Sequence, residues 1–206
     1  GLLNEASMTL PIAEFLAAKH RGEVVGEKPH PLFRTESRGR PRQIDFVRLR
    51  RGNNAWLTAY ECKYGSENQA LIISDICRLV CLAQCEGIGS PDRFFIFSGR
   101  LEPNSRLVKA MFNTGNGGRL PFFEGLLLEG TEVDAARRNS VRLANLESRK
   151  KSVFREFTKT YKARLPSVIV TELHGWAVSG SVACGIWRVT QARGSKLLSQ
   201  SDLEEA

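Results

Sequence analysis

Ile44-Asp45-Phe46-Val47-Arg48-Leu49-Arg50 and Trp56-Leu57-Thr58-Ala59-Tyr60-Glu61-Cys62-Lys63-Tyr64 are two short runs that flank Arg51-Gly52-Asn53-Asn54-Ala55. Both runs alternate as strands do, and the Gly and Asn residues between them tolerate the positive φ of a tight turn. A three-residue loop, Gly52-Asn53-Asn54, pairs Arg51 with Ala55 and sets Asp45 opposite Glu61 on one face. Lys63, two residues on, shares that face. A two-residue loop would shift the pairing one step and separate them.

Ile44, Val47, Leu49, Leu57 and Ala59 make both strands read as central and buried. Carboxylates held among such residues are costly unless something neutralises them, which favours a cation at Asp45 and Glu61. The competing reading is an exposed cross-strand charge pair, an interaction of only a few tenths of a kcal/mol.

Working outward, Ser66 to Gln84 reads as the clearest helix. Ser66 and Gln69 stand at capping-box spacing, and Ile72, Ile73, Ile76, Leu79, Val80 and Ala83 form a wide apolar face. Gly87 to Pro91 ends it, and Arg93 to Ser98 reads as a buried strand. Upstream, residues 8–20 read as a helix with Thr9 as N-cap, Pro11 in the first turn and Ile12, Phe15 and Leu16 as its apolar face; Glu14 lies off that stripe. Residues 22–31 read as loop and 32–37 as a strand, before the basic link Arg38-Gly39-Arg40-Pro41-Arg42. Helix, three strands, helix, strand is a three-layer α/β order.

Downstream, Asn104 to Phe112 reads as helix and Pro121 to Leu128 as strand. Residues 131–162 read as one long or broken helix crowded with Arg and Lys. Ser167 to Leu173 and Ser181 to Val189 read as a closing hairpin, and the tail from Gln191 as frayed.

The chain has 206 residues, enough for a sizeable core, and a net charge of +8. That balance favours a polyanionic partner, nucleic acid first. No apolar run approaches the length of a membrane span, and no secretory signal opens the sequence. The first residue is Gly1 rather than Met, so the expectation is either a tag scar or an excised domain whose flanking domains are missing. Five cysteines, an odd number, point to reduced thiols in a cytoplasmic setting; Cys77, Cys81 and Cys85 recur on one helix face as small core residues.

An Asp, a turn, and Glu-x-Lys on the second strand of a hairpin, followed directly by a helix, resembles the PD-(D/E)XK nuclease superfamily. Here the residues are Ile44-Asp45 and Glu61-Cys62-Lys63, over roughly residues 11–98. Ile44 stands where the superfamily's name has proline. The resemblance implies a restriction-endonuclease-like three-layer sandwich, a central mixed sheet flanked by helices. Residues 1–98 would be the catalytic core, and 99–206 a continuation of the same domain with a basic helix and the closing hairpin. It implies Mg²⁺, with Mn²⁺ able to substitute, on Asp45, Glu61 and the backbone carbonyl of Cys62, with Lys63 serving the water and the transition state. Many relatives add a glutamate from the first helix. Glu14 is the candidate and Glu36 its rival, while Gln69 is either an active-site group or the capping partner of Ser66.

The implied function is metal-dependent hydrolysis of phosphodiester bonds, in DNA rather than RNA, by the catalytic domain of a larger or multicomponent system. Arg40, Arg42, Lys150 and Lys151 are the candidate nucleic-acid contacts, and a homodimer stays open. The alternative is a non-catalytic nucleic-acid-binding or assembly module that retains the nuclease fold.

Overall fold

The computed structural model describes residues 5–19, 23–33, 42–65, 69–102, 105–111, 120–123, 128–129, 132–133 and 138–205. In chain order the elements are α1 (Glu5–Lys19), β1 (Glu23–Pro29), β2 (Gln43–Leu49), β3 (Trp56–Tyr64), α2 (Gln69–Cys81), β4 (Asp92–Arg100), α3 (Arg106–Met111), β5 (Leu128–Glu129) and β6 (Glu132–Val133). They continue as β7 (Arg138–Arg142), α4 (Ser148–Tyr161), β8 (Leu165–Pro166), β9 (Val168–Ser179), β10 (Val182–Gln191), β11 (Leu197–Leu198) and α5 (Gln200–Glu205).

The hairpin forms, by a different turn from the one expected. The Arg50 N–H donates to the Ala55 carbonyl at 2.8 Å, so residues 51–54 make a four-residue loop. Gly52 and Asn54 take positive φ there (92° and 52°), and the Asn53 side chain accepts from the Ala55 N–H. Leu49 pairs with Trp56, but Arg48 pairs with Thr58, so Leu57 is the extra residue of a bulge. The bulge undoes the shift that the longer loop introduces. Val47 meets Ala59, Phe46 meets Tyr60, and the same register carried one step further sets Asp45 across from Glu61.

Seven strands form one sheet in the order β1-β2-β3-β4-β10-β9-β7, parallel between β3 and β4 and antiparallel elsewhere. A parallel pair needs a crossover, and α2 supplies it. Its Ile72, Ile73, Ile76, Leu79 and Val80 pack with Val47, Ala59 and Phe95 on one face of the sheet. Each such buried side chain contributes on the order of 1.5–3 kcal/mol. Ala83, expected on this face, is exposed in the 3-10 turn that ends α2. On the opposite face α1 lays Ile12, Ala13 and Leu16 onto Phe46, Tyr60, Cys62 and Ile96. The molecule is therefore α/β, a mixed central sheet with helices on both faces.

Several elements differ from expectation. α1 begins at Glu5, so Thr9 and Pro11 lie inside the helix, and Phe15 is 56% exposed rather than packed. The stretch expected as loop at 22–31 contains β1. It is an edge strand, the one place in a ladder where Gly26, Pro29 and the three charged residues Glu23, Glu27 and Lys28 do no harm. Leu32 and Phe33 are not in a strand, and 34–41 lie outside the described residues, as does Ser66. Pro121–Phe123 is a 3-10 turn, residues 124–127 lie outside the described residues, and Leu128–Glu129 is strand.

Among the described residues, the long helix expected over 131–162 is α-helical from Ser148. Before it, Arg138–Arg142 pairs with β9 as the sheet's other edge, where Asn139 and Ser140 are poor helix formers and Val141 favours a strand. The tail is not frayed. β11 pairs with β8, Ser199 and Asp202 cap α5 reciprocally, and Leu203 is fully buried. The closing hairpin is β9 and β10. Cys77, Cys81 and Cys85 are buried free thiols. Among the described residues no helix is long and apolar enough to cross a membrane.

Candidate active site

Alternation along β3 sends Tyr60 and Cys62 toward α1 and Glu61 and Lys63 toward α2. From α2, one turn apart, come Asp75 and Arg78. Arg78 Nε donates to Glu61 Oε1 at 2.8 Å, the Arg78 guanidinium also bonds Asp75 Oδ1, and Lys63 Nζ lies 3.4 Å from Asp75 Oδ2. Charges of alternating sign thus run Lys63, Asp75, Arg78, Glu61. Asp45, half-buried on β2, accepts the Cys62 N–H at 2.7 Å through Oδ2. Its carboxylate therefore fastens the backbone between Glu61 and Lys63.

Glu61 is fully buried. Burial pushes its pKa well up; Arg78 pulls it down, and the Asp45 and Asp75 charges push it up further. Burial likewise raises Asp75, to about 6, against the pull of Arg78 and Lys63. Burial disfavours the Arg78 cation, but Glu61 and Asp75 outweigh it and hold its pKa above the ordinary value.

His30, just past β1, fixes this helix turn from behind. Its Nδ1 accepts the Leu32 N–H at 3.2 Å, which leaves Nε2 to donate to the Arg78 carbonyl at 3.0 Å. That carbonyl lies where α2 gives way to a 3-10 turn, so it needs a partner from outside the helix. The ring stacks on Phe33 with centroids 4.0 Å apart, and burial drives its pKa down to about 4.

Asp45, Glu61 and Lys63 are thus brought together as expected from the hairpin register. Glu14 is not brought to them: it is exposed on α1, on the opposite face of the sheet from α2. Gln69 is the half-buried first residue of α2. Glu36 and Arg40 lie outside the described residues. Arg42 is exposed, its guanidinium 5.8 Å from the centre of the Tyr161 ring. Lys150 lines a cavity of about 320 Å³ with Arg142, Asn145 and Glu147, and Lys151 Nζ donates to the Ala144 carbonyl.

Asp75, Arg78 and His30 are absent from the expected set. The first two carry a legible signal, since both charges fall among the apolar positions of a helix whose neighbours are all buried, where an unpaired charge is rare. Nothing in the sequence marks His30.

Among the described residues no three His, Cys, Asp or Glu are grouped as a ready metal cage. Mg²⁺ does not require one, since it keeps several waters and uses one or two carboxylates. Glu61 Oε2 is buried without a hydrogen-bond partner among the described residues, and Asp45 is the carboxylate that acts on it from the neighbouring strand. A hard cation suits that vacancy. No family model, curated protein or solved structure matches the chain.

Proposed function

We propose that this chain is a divalent-metal-dependent nuclease of the restriction-endonuclease-like, PD-(D/E)XK kind, hydrolysing phosphodiester bonds in DNA. One observation carries the reading. Glu61 and Lys63 leave β3 on the same side, and Asp45 on β2 is bonded to the residue between them. The parallel β3–α2–β4 unit then encloses them.

Asp45 and Glu61 are the residues that would hold Mg²⁺ or Mn²⁺, with the Cys62 carbonyl as the third ligand the superfamily pattern implies. The metal would neutralise phosphate charge and lower the pKa of a bound water. Lys63, steadied by Asp75, donates from Nζ to the phosphate oxygens as negative charge builds on them. Arg42, Arg142 and Lys150 are exposed or cavity-lining cations suited to the nucleic-acid backbone, and the +8 charge draws the polymer in. Five free cysteines suit a reducing, cytoplasmic setting.

A second reading has its own support. Arg78 already neutralises Glu61, so the network can exist as a structural core in a non-catalytic nucleic-acid-binding module. Plasmid cleavage separates the two. Wild type with Mg²⁺ should nick DNA, and Lys63→Ala, its fold verified by circular dichroism, should lose about a hundredfold or more of that activity. Equal nicking by both proteins sinks the enzymatic reading. DNA binding with no cleavage by either supports the second.

A further inference from the structure

The vacancy at Glu61 Oε2 and the guanidinium at Oε1 belong to one carboxylate. A fully buried carboxylate needs a counter-charge, and Arg78, whose side chain is only 11% exposed, supplies it. We propose that Arg78 is the site's resident counter-cation, competing with the divalent ion for Glu61 and released from it when the ion binds. The inference rests on the metal-site reading above and adds a residue that the superfamily resemblance does not supply.

Three features support competition rather than permanent pairing. A dication at Oε2 and a guanidinium at Oε1 would repel across a single carboxylate in a site that water screens poorly. Arg78 has a second anchor, Asp75 Oδ1, so letting go of Glu61 does not leave it without a partner. His30 holds the backbone carbonyl of Arg78, so release needs only side-chain rotation while α2 stays in place. Asp75 in turn keeps Lys63 in position throughout. By linkage, whatever weakens the Arg78 hold on Glu61 must tighten the metal by the same factor.

The test measures Mn²⁺ binding to the full chain by calorimetry, alongside the Mn²⁺-induced rise in melting temperature. Arg78→Gln should melt below wild type without metal, gain more from Mn²⁺, and bind it about tenfold more tightly, since a neutral amide does not compete. Lys63→Gln removes the same charge from Asp75 rather than from Glu61 and should change the affinity less. Glu61→Gln should abolish Mn²⁺ binding in either background. Equal or weaker Mn²⁺ affinity in folded Arg78→Gln overturns the competition and leaves the metal site standing. Absence of Mn²⁺ binding in wild type and Arg78→Gln alike, or its persistence in Glu61→Gln, overturns both. If Arg78→Gln does not fold, Arg78→Lys decides. Lysine lacks the planar fork that gives each carboxylate its own N–H and so holds Glu61 more weakly; Arg78→Lys should therefore bind Mn²⁺ more tightly than wild type, and unchanged affinity refutes the proposal.

Discussion

Asp75 faces two cations at once, Lys63 on Oδ2 and Arg78 on Oδ1, and is almost fully buried. Removing it takes a carboxylate from both Lys63 and Arg78 at once, whereas removing Lys63 leaves Asp75 still paired to Arg78. Asp75→Ala should therefore destabilise the fold by about 3–5 kcal/mol. Lys63→Ala should lose well under half of that, and urea unfolding at pH 7 ranks them; the reverse order would refute this hub role.

His30 makes a pH prediction. A histidine whose folded pKa lies below its unfolded 6.5 contributes its full stability above that value. As the pH falls toward about 4, the unfolded chain takes up a proton that the folded chain refuses, a loss of about 3 kcal/mol. Asp75 acts with the opposite sign, because its raised pKa eases a burial penalty as the pH falls through about 6. Glu61, whose pKa burial also raises, acts in the same sense as Asp75, so the wild-type curve alone mixes all three. The stability gap between wild type and His30→Asn isolates the histidine: it should shrink from pH 7 to pH 4, and a constant gap would remove His30 as the cause.

At the scale of elements, close packing decides more than propensity. A Cβ on Gly99 would stand 2.9 Å from Leu107 Cβ and 3.2 Å from Gly65 Cα, so α3 sits on β4 only because both glycines are bare. Gly99→Ala should cost about 1–3 kcal/mol in urea unfolding, with Leu107 shifted outward. No loss would mean that α3 moves freely. That contact was not legible in the sequence, because residues 65, 99 and 107 come together only in three dimensions.

The hairpin was legible for the site but not for the turn. Hydrophobic pattern on the two strands fixed the pairing of Phe46 with Tyr60, and the bulge at Leu57 absorbed a loop one residue longer than expected. α2 declared itself through periodicity. β1 and β7 did not, because edge strands need less apolar sequence and both were read by composition as loop and helix. For α5 the signal was present and unused: Ser199 and Asp202 stand at capping spacing, and Leu203 follows. Glu14 was placed near the site by analogy with a helix whose side of the sheet no sequence pattern specifies.

At the scale of the molecule, the join between β3 and β4 is, among the described residues, the one parallel pairing in the seven-stranded sheet, and the candidate site lies over it. All five ionic residues fall between positions 45 and 78, on β2, β3 and α2. The sheet continues through β10, β9 and β7, which bury Trp187 and Leu173 on the α2 side. Gly185 leaves room for that indole, since its own Cβ would collide with the ring.

The sheet is open, and β1 and β7 are its two ends. On β1, Gly26 and Lys28 pair with Phe46 and Ile44, while Glu27 between them is turned to φ 49° and pairs with nothing in that register. A left-handed residue in mid-strand twists the outer row of N–H and C=O groups out of line, and its flanks are Gly26 and Lys28. At β1 another chain therefore finds no straight edge to extend. The kink beside Asp45 blunts this edge as a template for pairing with another strand.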